Sequence, residues 1–215
     1  ENLAMIDKAF WKDKRVIVTG HTGFKGSWLS MWLTSLGAKV HGISLPPNSE
    51  NCLFTQARVE SIISSNNFCD ICNLNKLKSI VIDINPEIVF HLAAQPLVIK
   101  SYHYPLETWN TNVIGSLHLL ESVKISNIKC TLIMITTDKV YENKDWDYGY
   151  RENDRLGGKD PYSASKAACE IAISSWRESF CGSKLNQNQY LSIASARSGN
   201  VIGGGDWAEN RIIPD

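Results

Sequence analysis

The sequence carries no net charge. Its 22 lysines and arginines balance 22 aspartates and glutamates, so nothing draws the chain toward nucleic acid or an acidic membrane surface. It has no apolar run long enough to span a bilayer. Its first residues, ENLAMIDKAF, place acids where a signal peptide needs an apolar stretch. They also lack an initiator Met, so the native start is expected elsewhere. There is no internal repeat and no Gly/Ser/Pro-rich linker. The six cysteines include one Cys-x-x-Cys, Cys69 to Cys72, but no second ligand pair stands at zinc spacing. Thiols packed beside a strand are the expectation, and no metal site is. A charged fraction of 20% against 43% hydrophobic is ordinary for a globular domain. These absences point to a cytoplasmic protein with no nucleic-acid or membrane partner.

What is present alternates. Short apolar runs take turns with stretches of helical spacing, the mark of an α/β protein with a doubly wound parallel sheet, a Rossmann-type three-layer sandwich. Strands are expected at residues 14–19, 39–45, 67–71, 88–92, 131–136 and 190–196. Helices are expected at 24–36, 74–84, 105–126 and 161–180. Residues 49–63 suit a helix or a helix-rich loop. The dinucleotide-binding domain is read as 1–196, and 197–215 as the start of a substrate-binding region whose remainder is missing.

Gly20-His-Thr-Gly23-Phe-Lys-Gly26 joins the first strand to the first helix. One glycine permits the turn, one admits a pyrophosphate, and one lets helix and strand pack closely. The helix N-terminus adds free N–H groups. Gly20, Thr22, Gly23, Phe24, Lys25 and Gly26 are therefore candidate cofactor contacts, although Lys25 can equally face solvent. His21 reads as a packing or hydrogen-bonding residue rather than a catalyst. The acid usual after the second strand is missing, and no arginine replaces it. Ser44 can meet a ribose hydroxyl, which leaves NAD and NADP both open. Asp70 and Ile71 fit an adenine-contacting pair, with a plain surface Asp as the rival reading.

Tyr162-Ser-Ala-Ser-Lys166 puts a phenol and an ammonium on one helical face. The ammonium favours the phenolate that a base at neutral pH requires. Thr136-Thr137-Asp138-Lys139 ends the fifth strand, on the edge that faces the ligand crevice. Thr137 is placed to bond a sugar hydroxyl, and Asp138 with Lys139 forms a possible acid/base pair. The bland alternative is a turn with solvated charges.

Phe10-Trp11, GHTGFKG followed by SWLSMWL, SLPP, HLAAQPLV, TTDKVYEN, YSASK and RSGNVIGGGDWAENRIIPD together resemble the CDP-glucose 4,6-dehydratases of the extended short-chain dehydrogenase/reductase family. The resemblance runs in order along nearly the whole chain. It implies a nucleotide-sugar lyase of the kind that feeds O-antigen sugars, with retained NAD as a redox shuttle and CDP-glucose as substrate. Tyr162 would deprotonate the C4 hydroxyl as C4 gives hydride, with Thr137 and Lys166 assisting. Asp138 would protonate the departing C6 hydroxyl, and a neutral Lys139 would take the C5 proton. The resemblance further implies cofactor contacts at Leu92, Ala93, Ala94, Gln95, Thr111 and Val201, and substrate contacts at Pro96, Asn200 and Arg211. Arg197 and Arg211 stand equally as phosphate contacts or ion-pair formers. A homodimer or higher homo-oligomer is implied as well. The rivals are a sugar-nucleotide epimerase, a UDP- or dTDP-sugar dehydratase, and a non-catalytic dinucleotide sensor.

Overall fold

A computed structural model describes residues 7–182 and 190–208. Six strands form one parallel sheet in the order β3-β2-β1-β4-β5-β6. They are β1 (Arg15–Thr19), β2 (Lys39–Ser44), β3 (Ser65–Phe68), β4 (Ile88–His91), β5 (Cys130–Ile135) and β6 (Leu191–Ala196). The order reverses between β1 and β4, the adjacent central strands from which the two halves of the sheet run outward. A crevice for ligands opens at the carboxyl ends of such a pair.

Alternation along β1 builds two cores. Ile17 faces one layer, together with Leu77 and Val81 of α4 (Leu74–Ile84), Leu119 and Val123 of α7 (Ser116–Ser126), and Ile173 of α8 (Pro161–Phe180). Val16 and Val18 face the other, with Leu33 of α2 (Phe24–Ser35) and Phe54 of α3 (Leu53–Gln56). Trp11 of the short α1 (Lys8–Trp11) packs beside this second core. Around β5 and β6 the second face is less covered. Ser192, Ala194 and Ala196 of β6 are exposed there.

Expectation and structure agree on α4 and α8 to the residue. α2 stops at Ser35, one residue short of expectation, and Gly37 beyond its cap has a φ of 94° that few other residues adopt. Residues 49–63 resolve into α3 and a 3₁₀ turn at Val59–Ser61. The third strand departs from expectation. It spans Ser65–Phe68 rather than 67–71, because an edge strand needs backbone partners more than apolar side chains. Ser65 and Asn66 pair with His41 and Gly42. Cys69 and Ile71 are buried beyond the strand's end. The long helix at 105–126 is broken into α6 (Pro105–Trp109), a π-helical stretch at Asn110–Gly115, and α7. A separate helix, α5 (Val98–His103), precedes it and was not foreseen.

Candidate active site

The glycine loop is shaped by close approach. Gly20 has φ 73°, and its amide donates to the Ile43 carbonyl at 2.8 Å. A Cβ on Gly26 would lie 2.1 Å from the Gly20 oxygen, so helix and strand touch only because that carbon is absent. A Cβ on Gly23 would meet only the Gly20 oxygen, at 3.3 Å. That side of the loop is open to a ligand. Phe24 is half-buried with Gly203 against its ring edge, and Lys25 is exposed. His21 is fully buried, 2.7 Å from the Asn66 side chain, and burial holds its pKa below the usual histidine value.

Thr22 and Ser44 meet at the carboxyl end of β2. The Thr22 hydroxyl donates to the Leu45 carbonyl at 3.0 Å and lies 2.8 Å from the Ser44 hydroxyl. Thr22 has one proton, and the carbonyl takes it. Ser44 therefore donates to Thr22 and keeps only acceptor lone pairs for anything beyond. Asp70 accepts from the Cys72 amide at 2.8 Å in the turn after β3. Asn110, which opens the π-helical stretch, donates its side-chain amide to the Cys72 sulfur at 3.3 Å and so brings its neighbour Thr111 to this same turn. Ile71 is buried against Gly115.

The loop after β4 is held from below. Thr19 accepts from the amides of Leu92 and Ala93, both at 3.1 Å, and so donates to His91 Nδ1 at 2.7 Å. His91 Nε2 lies 2.9 Å from Ser116, whose hydroxyl donates to the Asn112 carbonyl. Burial depresses the His91 pKa to about 3, with the Lys166 charge adding to it. Asn112 accepts from the Gln95 amide at 2.8 Å and donates to Ser165 at 2.9 Å. The Gln95 side chain is turned inward onto Thr108 and Leu97. Ala94 is half-buried and Pro96 exposed at the rim. One polar chain thus runs from the phosphate-loop strand to the helix bearing Tyr162.

Tyr162 and Lys166 are buried on the inward face of α8. The Tyr162 amide bonds Ser101 at 3.2 Å, and Lys166 Nζ donates to the Ile135 carbonyl at 3.3 Å. Burial lowers the Lys166 pKa, and the charge of Lys25 lowers it further. α8 packs against the 3₁₀ turn Asp138–Val140 at the end of β5. The Thr137 hydroxyl, itself buried, donates to Asp138 at 3.1 Å. Asp138 and Lys139 are exposed. Gly199 sits beside Asp138, and the exposed Asn200 and Val201 lead from there to Gly203 over Phe24. Arg211 lies outside the described residues. Arg197 resolves its two readings as an ion pair, 2.9 Å from Glu170.

Several residues here escaped the sequence reading: Thr19, His91, Ser116, Ser165 and Glu170. Only Glu170 left a signal. It continues the four-residue spacing of Tyr162 and Lys166 with a third polar side chain.

A 3-2-1-4-5-6 sheet, a glycine-shaped phosphate loop and a Tyr-x-x-x-Lys helix define an extended short-chain dehydrogenase/reductase. Within that class, the sequence model for GDP-mannose 4,6 dehydratase matches residues 17–199, and the chain belongs to that family. It is 52% identical over 212 residues to the CDP-glucose 4,6-dehydratase of Salmonella typhimurium, covering 98% of this chain and 58% of that protein. The chain thus spans little more than half the length of that relative. Among solved structures, a UDP-N-acetylglucosamine 4-epimerase from Methanobrevibacter ruminantium is 28% identical with a TM-score of 0.73, over 94% of this chain and 59% of that one. A dTDP-glucose 4,6-dehydratase from Bacillus anthracis, solved with NAD, shares the fold at 21% identity and a TM-score of 0.75, over 93% and 58% of the two chains.

Proposed function

We propose that the whole protein is a nucleotide-sugar 4,6-dehydratase that converts CDP-glucose to its 4-keto-6-deoxy derivative. The observation that carries this reading is the packing of α8, with Tyr162 and Lys166, against the Asp138–Val140 turn. An epimerase needs the first pair but no acid and base for water loss.

The cleft fits NAD. The unfilled side of Gly23 gives room for the pyrophosphate, and the first turn of α2 supplies amides. Ser44, left as an acceptor, suits a ribose 2′-hydroxyl, which has a proton to give. A 2′-phosphate would need donors and a cation. Leu45, Pro46 and Pro47 follow instead, and the prolines have no N–H. Asp70 and Thr111 would border the adenine, and Leu92 to Gln95 with Val201 the nicotinamide half. When bound, NAD supplies a hydride acceptor for C4 and a hydride donor for C6.

Tyr162 then takes the C4 hydroxyl proton, with the Lys166 ammonium favouring the phenolate. Thr137 orients that hydroxyl. The resulting ketone acidifies C5. Lys139 would accept the C5 proton, the C6–oxygen bond would break, and Asp138 would pass a proton to the departing hydroxyl, which leaves as water, once bound sugar has taken this exposed turn out of solvent. Pro96, Asn200 and Arg211 would contact the sugar nucleotide. A second copy of the chain would cover the exposed Ile99, Leu106, Trp109 and Ile171 along α5, α6 and α8.

The test is to incubate the full-length protein and NAD with CDP-glucose, UDP-glucose, dTDP-glucose or GDP-mannose in turn. A 4-keto-6-deoxy product from CDP-glucose alone supports the reading. A C4-inverted sugar supports an epimerase, and dinucleotide binding without turnover supports a sensor.

A further inference from the structure

The polar face of α8 continues past Lys166. Glu170, one turn further on, is 4% exposed, yet its carboxylate is the hub of two strand ends. One oxygen accepts from the Thr136 hydroxyl at the end of β5. The other accepts from Ser195 and from Arg197 Nη2 at the end of β6, both at 2.9 Å. These bonds outweigh the burial that would otherwise raise its pKa, and hold the carboxyl below its ordinary value. Arg197 then reaches outward. Its Nη1 donates to the Tyr141 hydroxyl and to the Glu152 carbonyl, both at 3.0 Å, and its guanidinium lies over the Tyr141 ring.

The segment gripped at both ends is the acid/base turn. Thr136 enters it, Tyr141 leaves it, and Asp138 and Lys139 lie between. The amide of Asp138 is bonded to the Ser198 carbonyl, next to Arg197, at 3.0 Å. We propose that Glu170 and Arg197 are positioning residues for water loss: they set the Asp138–Lys139 turn against Tyr162 without touching sugar or cofactor. This rests on the dehydratase reading above. A buried ion pair is a poor source of stability, because desolvation offsets its attraction. Its value here is geometric, since small displacements of reacting groups cost large factors in rate.

The experiment uses the full-length protein with Arg197→Met, Arg197→Lys, Glu170→Gln and the double variant Glu170→Gln/Arg197→Met. Arg197→Met is expected to lower kcat about 10- to 100-fold, with KM for CDP-glucose and dinucleotide affinity held within about threefold. Deuterium uptake from heavy water at C5 should fall with kcat, and Arg197→Lys should recover part of the loss. Should Arg197→Met not fold, because it strands the Glu170 charge, the double variant removes that charge and must show the same kcat deficit. Wild-type kcat in either variant overturns the inference, as does a parallel loss of dinucleotide affinity. If the wild-type protein itself makes no 4-keto-6-deoxy sugar, the dehydratase reading fails first. Product from wild type with unimpaired variants sinks the positioning role alone.

Discussion

The hydroxyl of Thr19 donates to Nδ1 of His91 at 2.7 Å, and this single bond fixes the imidazole as a neutral Nε2–H tautomer inside the sheet. Thr19 has no other proton to offer, and the two amides that point at its oxygen require that oxygen to accept. A protonated His91 would set two hydrogens against each other in a buried site.

Stability should therefore fall as the pH drops below neutrality. The His91 pKa goes from 6.5 to about 3 on folding. Above the higher value both states are neutral and nothing changes. Below it, the unfolded chain binds a proton that the folded chain refuses. The loss reaches about 2 kcal/mol near pH 5. Burial lowers His21 and His41 as well, so they act in the same direction. Urea unfolding at about pH 7 and about pH 5 measures the difference. A midpoint unmoved between them contradicts the buried neutral imidazole.

Two glycines of one loop should fail in different ways. Gly26→Ala forces a carbon to within 2.1 Å of the Gly20 oxygen and is expected to cost about 3 kcal/mol or prevent folding. Gly23→Ala meets little of the chain and should shift stability by less than about 1 kcal/mol. It should still weaken dinucleotide binding about tenfold or more, because the new methyl occupies the space a pyrophosphate needs. Thermal melts and calorimetric titration with NAD separate the two effects.

Tyr162→Phe in the full-length protein should reduce turnover of CDP-glucose by about a thousandfold or more. The fold should survive, since Tyr162 ties to Ser101 and Ser165 through its backbone. Product formation at the wild-type rate, with an unchanged melt, would remove the phenol from the chemistry.

The thiols should rank by burial. Cys130 is buried and its pKa pushed up to about 12 by desolvation, and Cys169 is buried and raised as well. Both should resist iodoacetamide until the protein unfolds. Cys72 is partly exposed but raised to about 11, first by desolvation and then by Asp70, so it should label slowly at neutral pH. Mass spectrometry of a timed alkylation gives the order. Early modification of Cys130 would show that the β5 end of the core opens.

Periodic and glycine-marked features were legible in the sequence. α8 runs from a capping Asp160 and Pro161 to Phe180 in uninterrupted helical spacing, and both its ends were readable. α4 stops at Asn85 before Pro86, again a local signal. The third strand was misplaced because its side chains are polar and its stability lies in pairing with β2, a contact distant in sequence. The π-helical stretch was invisible for a similar reason. It brings Asn112 to Gln95 and Ser165, partners that no spacing within the helix announces. The glycine loop, Tyr162, Lys166 and the Asp138 turn could be named from short motifs. The buried groups behind them could not, because a lone His or Glu carries no pattern of its own.

The bare side of β6 has a bench-level corollary. Ser192, Ala194 and Ala196 leave a flat strip of small side chains on β6, the edge strand of the sheet among the described residues, and an edge strand is a template for a neighbour's strand. Ala194→Lys should leave the thermal melt of these 215 residues in place while lowering their tendency to clump, because the added charge projects from an exposed position.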